Sequence, residues 1–468
     1  MSKRTLVVGG RIVTSSQDFV GDILIEDSVI QAVGTLPELE VAERIDATGK
    51  LVIPGGVDPH THLDTPVAGT VVSDDFHNGT VAAAVGGTTT IIDFAVQRKG
   101  DDPRVAFEEW QERASGKAVV DWAFHVILTD LPDRFLPSLD GLVADGVTSF
   151  KLFMAYPDAL MIDDGAIFNA MRRSVENGSL IMLHCENGHT IDALVRDALD
   201  AGQTDPIYHA RTRPAIAEDE ATRRGIVLAE MAGSPVYVVH VASGGAVQVL
   251  QEARDRAVPA YGETCPQYLL LTEDRLAEPD FAGSRYVISP PLRTFEHQER
   301  LWEGLRTGDL QTIGTDHAPF YLEQKEVGRH DFTKIPNGMP GIEWRMAHLY
   351  TSGVRTRRLG LNRFVELTST NAARLFGLYP RKGEIAPGSD ADLVIFDDSQ
   401  ETVLSADTHV TNCDHNPYEG WTVHGMPETV MLRGQIIVAG GAYVGRDAGG
   451  QFLACDPSPA HGFSELVF

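Results

Sequence analysis

GGVDPHTHLD, residues 55–64, is the segment from which the rest of this 468-residue chain can be interpreted, because it places two histidines at the end of an apolar run. In an extended strand, residues two apart lie on the same face, so His60 and His62 should point the same way. Two adjacent imidazoles suit a metal such as zinc. An HxH pair alone is weak evidence, and two unrelated histidines are the alternative, so the prediction depends on further ligands at equivalent places.

Apolar, β-branched segments recur along the chain and alternate with helical segments. They are LVIPGGVDPH, TTTIIDFA, DWAFHVIL, VTSFKLFMA, LIMLHCE, PVYVVHVA, VPAYGETC and QTIGTDHA. Near-continuous apolar strands between amphipathic helices such as PRVAFEEWQERA indicate a parallel sheet buried on both faces. Eight such units predict an α/β fold, a (β/α)8 TIM barrel, which the helical stretch from Gly341 to about Phe376 would close.

Both ends of the chain alternate apolar and polar residues around turns, as in GDILIEDSVIQAVG, DADLVIFD and TVMLRGQIIVAGG. This pattern predicts a smaller β-sandwich domain built from both ends, with residues 1–52 and 380–445 flanking a barrel domain at 53–379. The tail, residues 446–468, is expected either to be disordered or to contact a neighbouring subunit. Its apolar end, FSELVF, favours the contact.

Composition excludes several classes of partner. With 66 acidic and 39 basic residues, the net charge of -27 opposes binding to nucleic acid or to an anionic membrane. The N-terminal MSKRTLVVGGRIV is too short for a signal-peptide core, and no run is long enough to span a membrane. The four cysteines lack CxxC spacing, which argues against a disulfide framework or a cysteine zinc site. We therefore expect a cytoplasmic protein.

Polar residues occupy the predicted C-terminal ends of several barrel strands, where the active sites of such barrels lie. They are His60 and His62 on the first strand, Lys151 on the fourth, His184 on the fifth, His240 on the sixth and Asp316 on the eighth. A single histidine there would more often be an ordinary loop residue. Chance is a poor explanation for four of them in a consistent register, so the six residues are predicted to converge on a metal site.

Lys151 requires a chemical explanation, because its ammonium would be repelled by two divalent cations by several kcal/mol even at an effective dielectric of about 20. A surface or ion-pairing lysine is the alternative. However, Lys151 lies in the apolar segment SFKLFMAY, where an unpaired charge is costly. Addition of CO2 to the neutral amine would give N6-carboxylysine, a carbamate that bridges two metals as a carboxylate does. This modification is a hypothesis.

Asp316, one of these six residues, and Tyr156 could also take part in catalysis. Asp316 in GTDHAP could coordinate a metal and accept a proton from a bridging water. Tyr156, beyond Lys151 at the predicted mouth, could donate its phenol to a developing oxyanion, although an aromatic residue there more often only packs. His317 should face away from its neighbour Asp316 and support the ligands from behind.

The remaining polar residues near the predicted mouth are interpreted as structural. Strand alternation turns Cys185 away from the ligands, and His125 has no other candidate ligand beside it. Asp74 and Asp75 in SDDFHNGT are typical of helix-capping and first-turn residues. Asp64 is ambiguous.

With these residues identified, the chain resembles the dihydropyrimidinase and D-hydantoinase family of the amidohydrolase superfamily over nearly its whole length. The resemblance is carried by DPHTHLD, SDDF with GGTT, SFKLFMAY, HCENG, VYVVHVASGGA, YGETCPQYLLL, VISPPLR, GTDHAPF, PNGMPGIE and STNAARLFGLYPRKGEIAPGSDADLVIFD.

The resemblance implies a binuclear zinc site. In such a site His60, His62, carbamylated Lys151 and Asp316 would hold one metal, and Lys151, His184 and His240 the other. It also implies that Tyr156 assists the oxyanion and that the backbones of Ser289 and Asn337 bind the amide edge of the substrate ring.

The activity that the resemblance implies is hydrolytic ring opening of a cyclic amide by a metal-bridging hydroxide, with Asp316 carrying the proton to the leaving nitrogen. The substrates would be 5,6-dihydropyrimidines, 5-substituted hydantoins or both, and the products N-carbamoyl amino acids. No redox or nucleotide cofactor is needed. The family also suggests a homotetramer.

Three other relatives are alternatives. Dihydroorotase needs a cation for the substrate carboxylate, and Asp64 stands where the resemblance places its arginine, so a neutral ring is favoured. An allantoinase-like hydrolase remains open, although its motifs fit less well. Non-catalytic scaffold relatives lose metal ligands, whereas every predicted ligand is present here.

Overall fold

The structure, a computed structural model, describes residues 3–37, 39–67, 69–445 and 449–461. Its strands are β1 (Arg4–Val13), β2 (Asp18–Glu26), β3 (Val29–Gly34), β4 (Glu43–Asp46), β5 (Leu51–Pro54), β6 (Gly56–Thr61), β7 (Pro66–Val67), β8 (Thr70–Val71), β9 (Thr88–Val96), β10 (Asp121–Ile127), β11 (Ser149–Phe153), β12 (Leu180–His184), β13 (Val236–Val238), β14 (Ala260–Thr264), β15 (Thr312–Ile313), β16 (Leu393–Val403), β17 (Thr422–Leu432), β18 (Gln435–Ala439) and β19 (Ala442–Tyr443).

The α-helices are α1 (Phe76–Val85), α2 (Pro103–Ala114), α3 (Leu136–Ala144), α4 (Asp164–Asn177), α5 (Gly188–Asp200), α6 (Ile207–Arg211), α7 (Ala215–Ala232), α8 (Gly244–Asp255), α9 (Pro266–Leu270), α10 (Phe295–Thr307), α11 (Leu322–Lys325), α12 (Arg345–Leu349), α13 (Leu361–Val365) and α14 (Asn371–Leu375). None of these described helices combines the length and the apolar character that crossing a membrane requires.

The eight predicted barrel strands are present and confirm the barrel. They form one sheet of parallel neighbours in the order β15-β14-β13-β12-β11-β10-β9-β6. The first and last strands meet where Thr61 bridges to His317 and the His62 N–H donates to the His317 carbonyl at 3.0 Å. The C-terminal ends of all the strands therefore surround one mouth.

Alternation along the barrel strands separates an outer from an inner apolar layer. On β9, Ile91 and Ala95 join the large apolar cluster that includes helix residues, whereas Ile92 and Phe94 join a smaller cluster with residues of several other strands. Both faces of the sheet are thus buried, which explains the continuous apolar segments in the sequence. Lys151 has the inward parity of Phe153 on β11, so its side chain points into the barrel.

The surrounding helices are amphipathic, and α2 shows how the sequence builds them. Its buried residues, Pro103, Ala106, Trp110 and Ala114, recur at helical spacing and face the barrel. The Asp102 side chain accepts from the Arg104 N–H at 2.9 Å and caps the N-terminus.

Strands from both ends of the chain share a nine-stranded sheet, as predicted for the smaller domain. Its order is β19-β18-β17-β16-β5-β1-β2-β3, and β4 pairs with β1. On β16, Leu393 and Ile395 contribute to the apolar core of this domain, whereas Val394 and Phe396 pack into the large cluster with the barrel. Both faces of the first four residues of β16 are therefore buried, and this part of the strand packs the sheet against the barrel. The predicted domain boundaries stay a prediction.

One strand prediction is wrong. The segment LVIPGGVDPH does not form a single barrel strand, because Leu51–Pro54 is β5, which pairs with β1 and β16, and the barrel strand β6 begins at Gly56. The chain changes sheets at Gly55, where a Cβ would lie only 2.1 Å from Thr89 Oγ1. The apolar run is continuous because both strands are buried on both faces.

The described part of the tail packs on its own chain, contrary to the disordered alternative. The Trp122 N–H donates to the Gln451 carbonyl at 3.0 Å, and the Leu453 N–H donates to the Trp122 carbonyl at 2.7 Å. The Leu453 and Ala460 side chains are buried. FSELVF lies outside the described residues, and the proposed contact of the tail with a neighbouring subunit stays a prediction.

Candidate active site

The structure brings the six predicted ligands together at the barrel mouth. His60 and His62 lie at the end of β6, Lys151 on β11, His184 at the end of β12, and His240 and Asp316 just after β13 and β15. His60, Lys151, His184 and His240 are buried, and His62 and Asp316 are partly exposed. Their role as metal ligands remains a prediction.

His60, His62 and Asp316 form the tighter part of the cluster. The Asp316 Oδ1 atom lies 3.2 Å from His60 Nε2 and 3.1 Å from His62 Nε2. Each residue offers one ligand atom, and these atoms all lie within 4.8 Å of one another. Two imidazole nitrogens and a carboxylate oxygen so close together form a donor set that suits zinc.

His184 and His240 form the second part. Their Nδ1 and Nε2 atoms, respectively, lie 3.0 Å apart, and His184 Nε2 lies 2.8 Å from Glu186 Oε2. The buried Nδ1 of His240 has no hydrogen-bond partner among the described residues.

Lys151 is buried, and its amine has no carboxylate partner among the described residues. Its Nζ lies 3.1 Å from His60 Nε2 and 4.4 Å from the centre of the Phe94 ring. Within the described ranges, no carboxylate lies in ion-pair range of this amine. Burial lowers the pKa of Lys151 to about 8, so much of the amine is neutral at mildly basic pH.

In the tighter group, Asp316 is held in its charged form and His62 in its neutral form. Burial opposes ionisation of Asp316, but the neighbouring His60 and His62 hold its pKa well below the usual value. Burial lowers the pKa of His62 to about 4. Asp316 is therefore an ionised base and His62 a neutral imidazole at neutral pH, which are the forms that bind a metal.

Glu263 holds His60 from behind and was not predicted from the sequence. Its Oε1 lies 2.6 Å from His60 Nδ1 and accepts from the His240 N–H at 3.0 Å. Tyr237 donates its hydroxyl to the other carboxylate oxygen at 2.9 Å. A carboxylate that binds one imidazole nitrogen orients the other toward the site. The available signal was a glutamate near the end of the apolar segment VPAYGETC, a position equivalent to those of the predicted ligands.

His317 faces away from the ligands, as predicted, but the interpretation of Asp74 is wrong. Asp74 is fully buried, and its Oδ2 lies 2.8 Å from His317 Nε2 while its Oδ1 accepts from the Asn412 N–H at 3.0 Å. Asp74 therefore holds His317 and does not cap a helix. Asp75 is the N-cap of α1, as predicted, and accepts from the Asn78 N–H.

Asp64 takes part in the start of the same helix. Its Oδ2 accepts from the Phe76 N–H at 3.2 Å, and its φ angle is 53°. The position where a carboxylate-binding arginine was considered thus holds an acid that is engaged with the N-terminus of α1.

Tyr156, Ser289 and Asn337 meet at the same mouth. The Asn337 Nδ2 atom donates to Ser289 Oγ at 3.1 Å and to the Tyr156 hydroxyl at 3.4 Å. Among the described residues, the backbone N–H and C=O groups of Ser289 and Asn337 make no hydrogen bond. They are thus available to a ligand. The Tyr156 and His184 ring centres lie 5.7 Å apart, which puts this group beside the ligand cluster.

Three residues of the site have a left-handed backbone. The φ angles are 63° at Tyr156, 39° at His240 and 51° at Asp316. This conformation is strained for residues other than glycine, and such strain occurs often at active sites. The direction of these side chains is therefore determined by the surrounding barrel and not by local sequence preference.

His125 and Cys185 have structural surroundings, as predicted. His125 is fully buried, and its Nε2 lies 3.0 Å from the Pro59 carbonyl. Burial holds the pKa of His125 well below its usual value, so the imidazole is neutral. Burial also raises the pKa of the Cys185 thiol to about 12, which makes it a poor nucleophile.

Comparisons with known proteins agree on one family. The sequence profile of the amidohydrolase family matches residues 51–437. A D-hydantoinase of Streptomyces coelicolor is 51% identical over 458 residues, which cover 97% of this chain and 98% of the relative. A D-hydantoinase of Geobacillus stearothermophilus is 50% identical, with 96% of each chain covered. A crystal structure of dihydropyrimidinase from Brevibacillus agri superposes with a TM-score of 0.96 at 48% identity, covering 97% of this chain and 99% of that one.

Proposed function

The chain belongs to the amidohydrolase family and is a cyclic amidohydrolase, and from this premise we propose that it opens the rings of 5,6-dihydropyrimidines and 5-substituted hydantoins to N-carbamoyl amino acids. Relatives with both kinds of name, at 48% and 51% identity over nearly the whole chain, support both substrate classes. The observation that carries the proposal is the cluster of four imidazoles, one amine and one carboxylate at the mouth, beside backbone groups without hydrogen-bond partners among the described residues.

The donor set fits two divalent cations, for which we propose zinc. His60, His62 and Asp316 would hold one cation, since their ligand atoms lie within 4.8 Å of one another. His184 and His240 would hold the other, through the His184 Nδ1 and His240 Nε2 atoms that lie 3.0 Å apart. The cations would polarise the ring carbonyl and lower the pKa of the attacking water.

Lys151 is proposed to join the two cations as a carbamate. Its neutral amine adds CO2: a C–N bond forms, the nitrogen loses one proton to solvent, and the neutral side chain becomes anionic. The absence of a carboxylate partner in the described residues and the lowered pKa of about 8 both support this step. The modification would remove the repulsion that an ammonium beside two divalent cations causes.

Asp316 and Tyr156 are the proposed catalytic residues. The ionised Asp316 takes the proton from the water that attacks the ring carbonyl and delivers it to the ring nitrogen as the C–N bond breaks. Burial raises the pKa of the Tyr156 phenol, which therefore stays protonated and can donate to the developing oxyanion.

The backbones of Ser289 and Asn337 are proposed to orient the ring. A cyclic amide or imide presents alternating N–H and C=O groups along one edge. The free N–H and C=O groups of these two residues complement that edge. Backbone recognition would select the ring and leave its C5 substituent to other contacts.

We also propose that the protein is a homotetramer of the cytoplasm. The four cysteines are buried and unpaired, as is typical of proteins that form in a reducing compartment. The family resemblance supports the tetramer.

A panel assay tests this function. Purified protein loaded with zinc and bicarbonate would be offered dihydrouracil, allantoin and both enantiomers of hydantoins with small and aromatic C5 substituents. We expect release of the N-carbamoyl product from members of both classes. Opening of allantoin alone would favour the allantoinase alternative. No metal bound and no ring opened after zinc and bicarbonate are restored would favour a non-catalytic scaffold.

A further inference from the structure

A second buried lysine lies just behind the site. Lys325, the last residue of α11, is fully buried, and its Nζ donates to the carbonyls of Pro336 at 2.9 Å and Gly338 at 3.0 Å. In the described residues no carboxylate forms an ion pair with it. Burial lowers its pKa to about 7. The two backbone carbonyls are thus its hydrogen-bond acceptors, and its Nζ lies 5.6 Å from the centre of the Phe320 ring.

A lysine in this position is energetically unusual. Burying an amine without a counter-ion is costly, and an apolar side chain of similar length would avoid that cost. What the amine provides is a pair of donors for two carbonyls that would otherwise be buried without partners. Both the neutral amine and the ammonium can donate these two hydrogen bonds.

The two carbonyls flank Asn337, the residue whose backbone we propose to bind the ring. The Gly338 N–H donates to the Val287 carbonyl at 3.0 Å, which ties the segment to the one that carries Ser289. A Cβ at Gly338 would lie 2.3 Å from the Ala318 carbonyl oxygen, so the segment is closely packed on that side. The backbone at 336–338 is therefore held from behind, while the N–H and C=O groups of Asn337 stay free.

We propose that Lys325 is a positioning residue for substrate binding, which fixes the peptide groups around Asn337 so that they meet the amide edge of the ring. Lys325 does not contact the substrate itself. The inference rests on the proposed function, because it requires Asn337 to bind the ring.

The test compares Lys325→Met with Lys334→Met as a matched control. Met has a similar length but cannot donate, and Lys334 belongs to the neighbouring segment, where its side chain is 67% exposed and pairs with Asp331. Both variants would be loaded with zinc and bicarbonate and assayed with the ring that the wild-type enzyme opens best. Metal content and thermal unfolding would be measured on the same samples.

We expect Lys325→Met to raise KM at least fivefold with kcat within threefold of wild type and metal content unchanged, and Lys334→Met to match wild type. A merely structural role would reduce the active fraction, which lowers kcat and leaves KM unchanged, and that result would overturn the proposal.

If the Lys325→Met variant does not fold, Lys325→Gln provides the test. The side chain of Gln is shorter, so its amide can donate to only one of the two carbonyls. KM should therefore rise at least twofold, and an unchanged KM would overturn the proposal. If the wild-type enzyme opens no ring, the proposed function itself fails.

Discussion

Two buried clusters of charge lie at opposite ends of the barrel. At the N-terminal end, Lys382 Nζ contacts Asp121 at 2.6 Å, Asp392 at 2.7 Å and Asp390 at 3.0 Å. At the mouth, His60 is the one hydrogen-bond partner of Lys151 Nζ among the described residues, and His240 Nδ1 has no hydrogen-bond partner there. Burial is equally complete for the two lysines. The first cluster balances its lysine with carboxylates, whereas the second leaves the amine of Lys151 without one, and we propose that a carbamate and metals complete it.

The pKa values of the two lysines express the same difference. Burial opposes the charge of Lys382, but its three carboxylates raise its pKa above the ordinary value. For Lys151, burial prevails and lowers the pKa to about 8. Lys382 is therefore a structural cross-link among carboxylates, whereas the lowered pKa of Lys151 at the barrel mouth supports its proposed chemical role.

The largest effect that separates the clusters should come from Lys151→Ala. We expect a loss of kcat/KM of about a thousandfold or more, because both proposed cations lose their shared ligand. Metal analysis should show a loss of bound zinc. The same variant should unfold at a temperature no lower than that of the metal-free wild-type protein, since no paired charge is broken. Full activity with unchanged zinc would refute the role of Lys151.

The opposite pattern is expected for Lys382→Met. Removing the ammonium takes away the counter-ion that three carboxylates share. Breaking a buried ion pair typically costs about 3–5 kcal/mol of unfolding free energy. Urea unfolding would measure this loss. The kcat/KM of the folded fraction should stay within twofold of wild type. A variant of normal stability but low activity would show that the two clusters are not distinct in function.

Glu263→Gln should give an intermediate effect at the mouth. An amide still fills the space but binds His60 Nδ1 less strongly, and such changes behind a metal ligand typically cost about 10–100-fold in metal affinity. Competition with a zinc chelator would measure the affinity. Glu43→Gln, which changes a surface carboxylate paired with Lys3, is the control. Equal zinc affinity in the two variants would show that Glu263 does not orient the ligand.

The smallest effect concerns pH. With a pKa of about 8, the neutral fraction of Lys151 in the metal-free protein should rise about fivefold from pH 7 to pH 8, and less than twofold from pH 8 to pH 9. The rate of reactivation by zinc at a fixed concentration of dissolved CO2 should follow that fraction.

The same pKa also determines whether the metal-free protein becomes more or less stable as the pH rises. Because the pKa of Lys151 is lower in the folded state, the unfolded state binds more protons between about pH 8 and pH 10, and stability should rise across that window. Urea unfolding of the metal-free protein at several pH values measures this. A reactivation rate that does not change between pH 7 and pH 8 would argue against a neutral amine as the reacting form.

Much of the fold could be predicted, because the barrel strands are buried on both faces and stand out as apolar runs. The same property concealed the boundary at Gly55, since β5 and β6 are equally apolar although they belong to different sheets. The six mouth residues could be predicted from strand ends and alternation, because the barrel brings all strand ends to one place.

Other buried polar residues have a weak signature in the sequence or none. Glu263 was indicated only by its place near the end of an apolar segment, and a lysine is ordinarily exposed, so nothing about Lys325 or Lys382 in isolation indicates that each is buried. Asp74 was mistaken for a helix cap because it directly precedes one. Backbone groups such as those of Ser289 and Asn337 can bind a ring whatever the side chain, so only the family resemblance pointed to them.

Native mass spectrometry of the active wild-type enzyme tests most directly whether the mouth cluster is completed by a modification and metals. We predict that each chain carries two metal ions and the mass of one CO2, that the CO2 maps to Lys151 and not to Lys382 or Lys325, and that chelation and acid release metals and CO2 together. A preparation that opens the ring with an unmodified Lys151 and no bound metal would contradict the account.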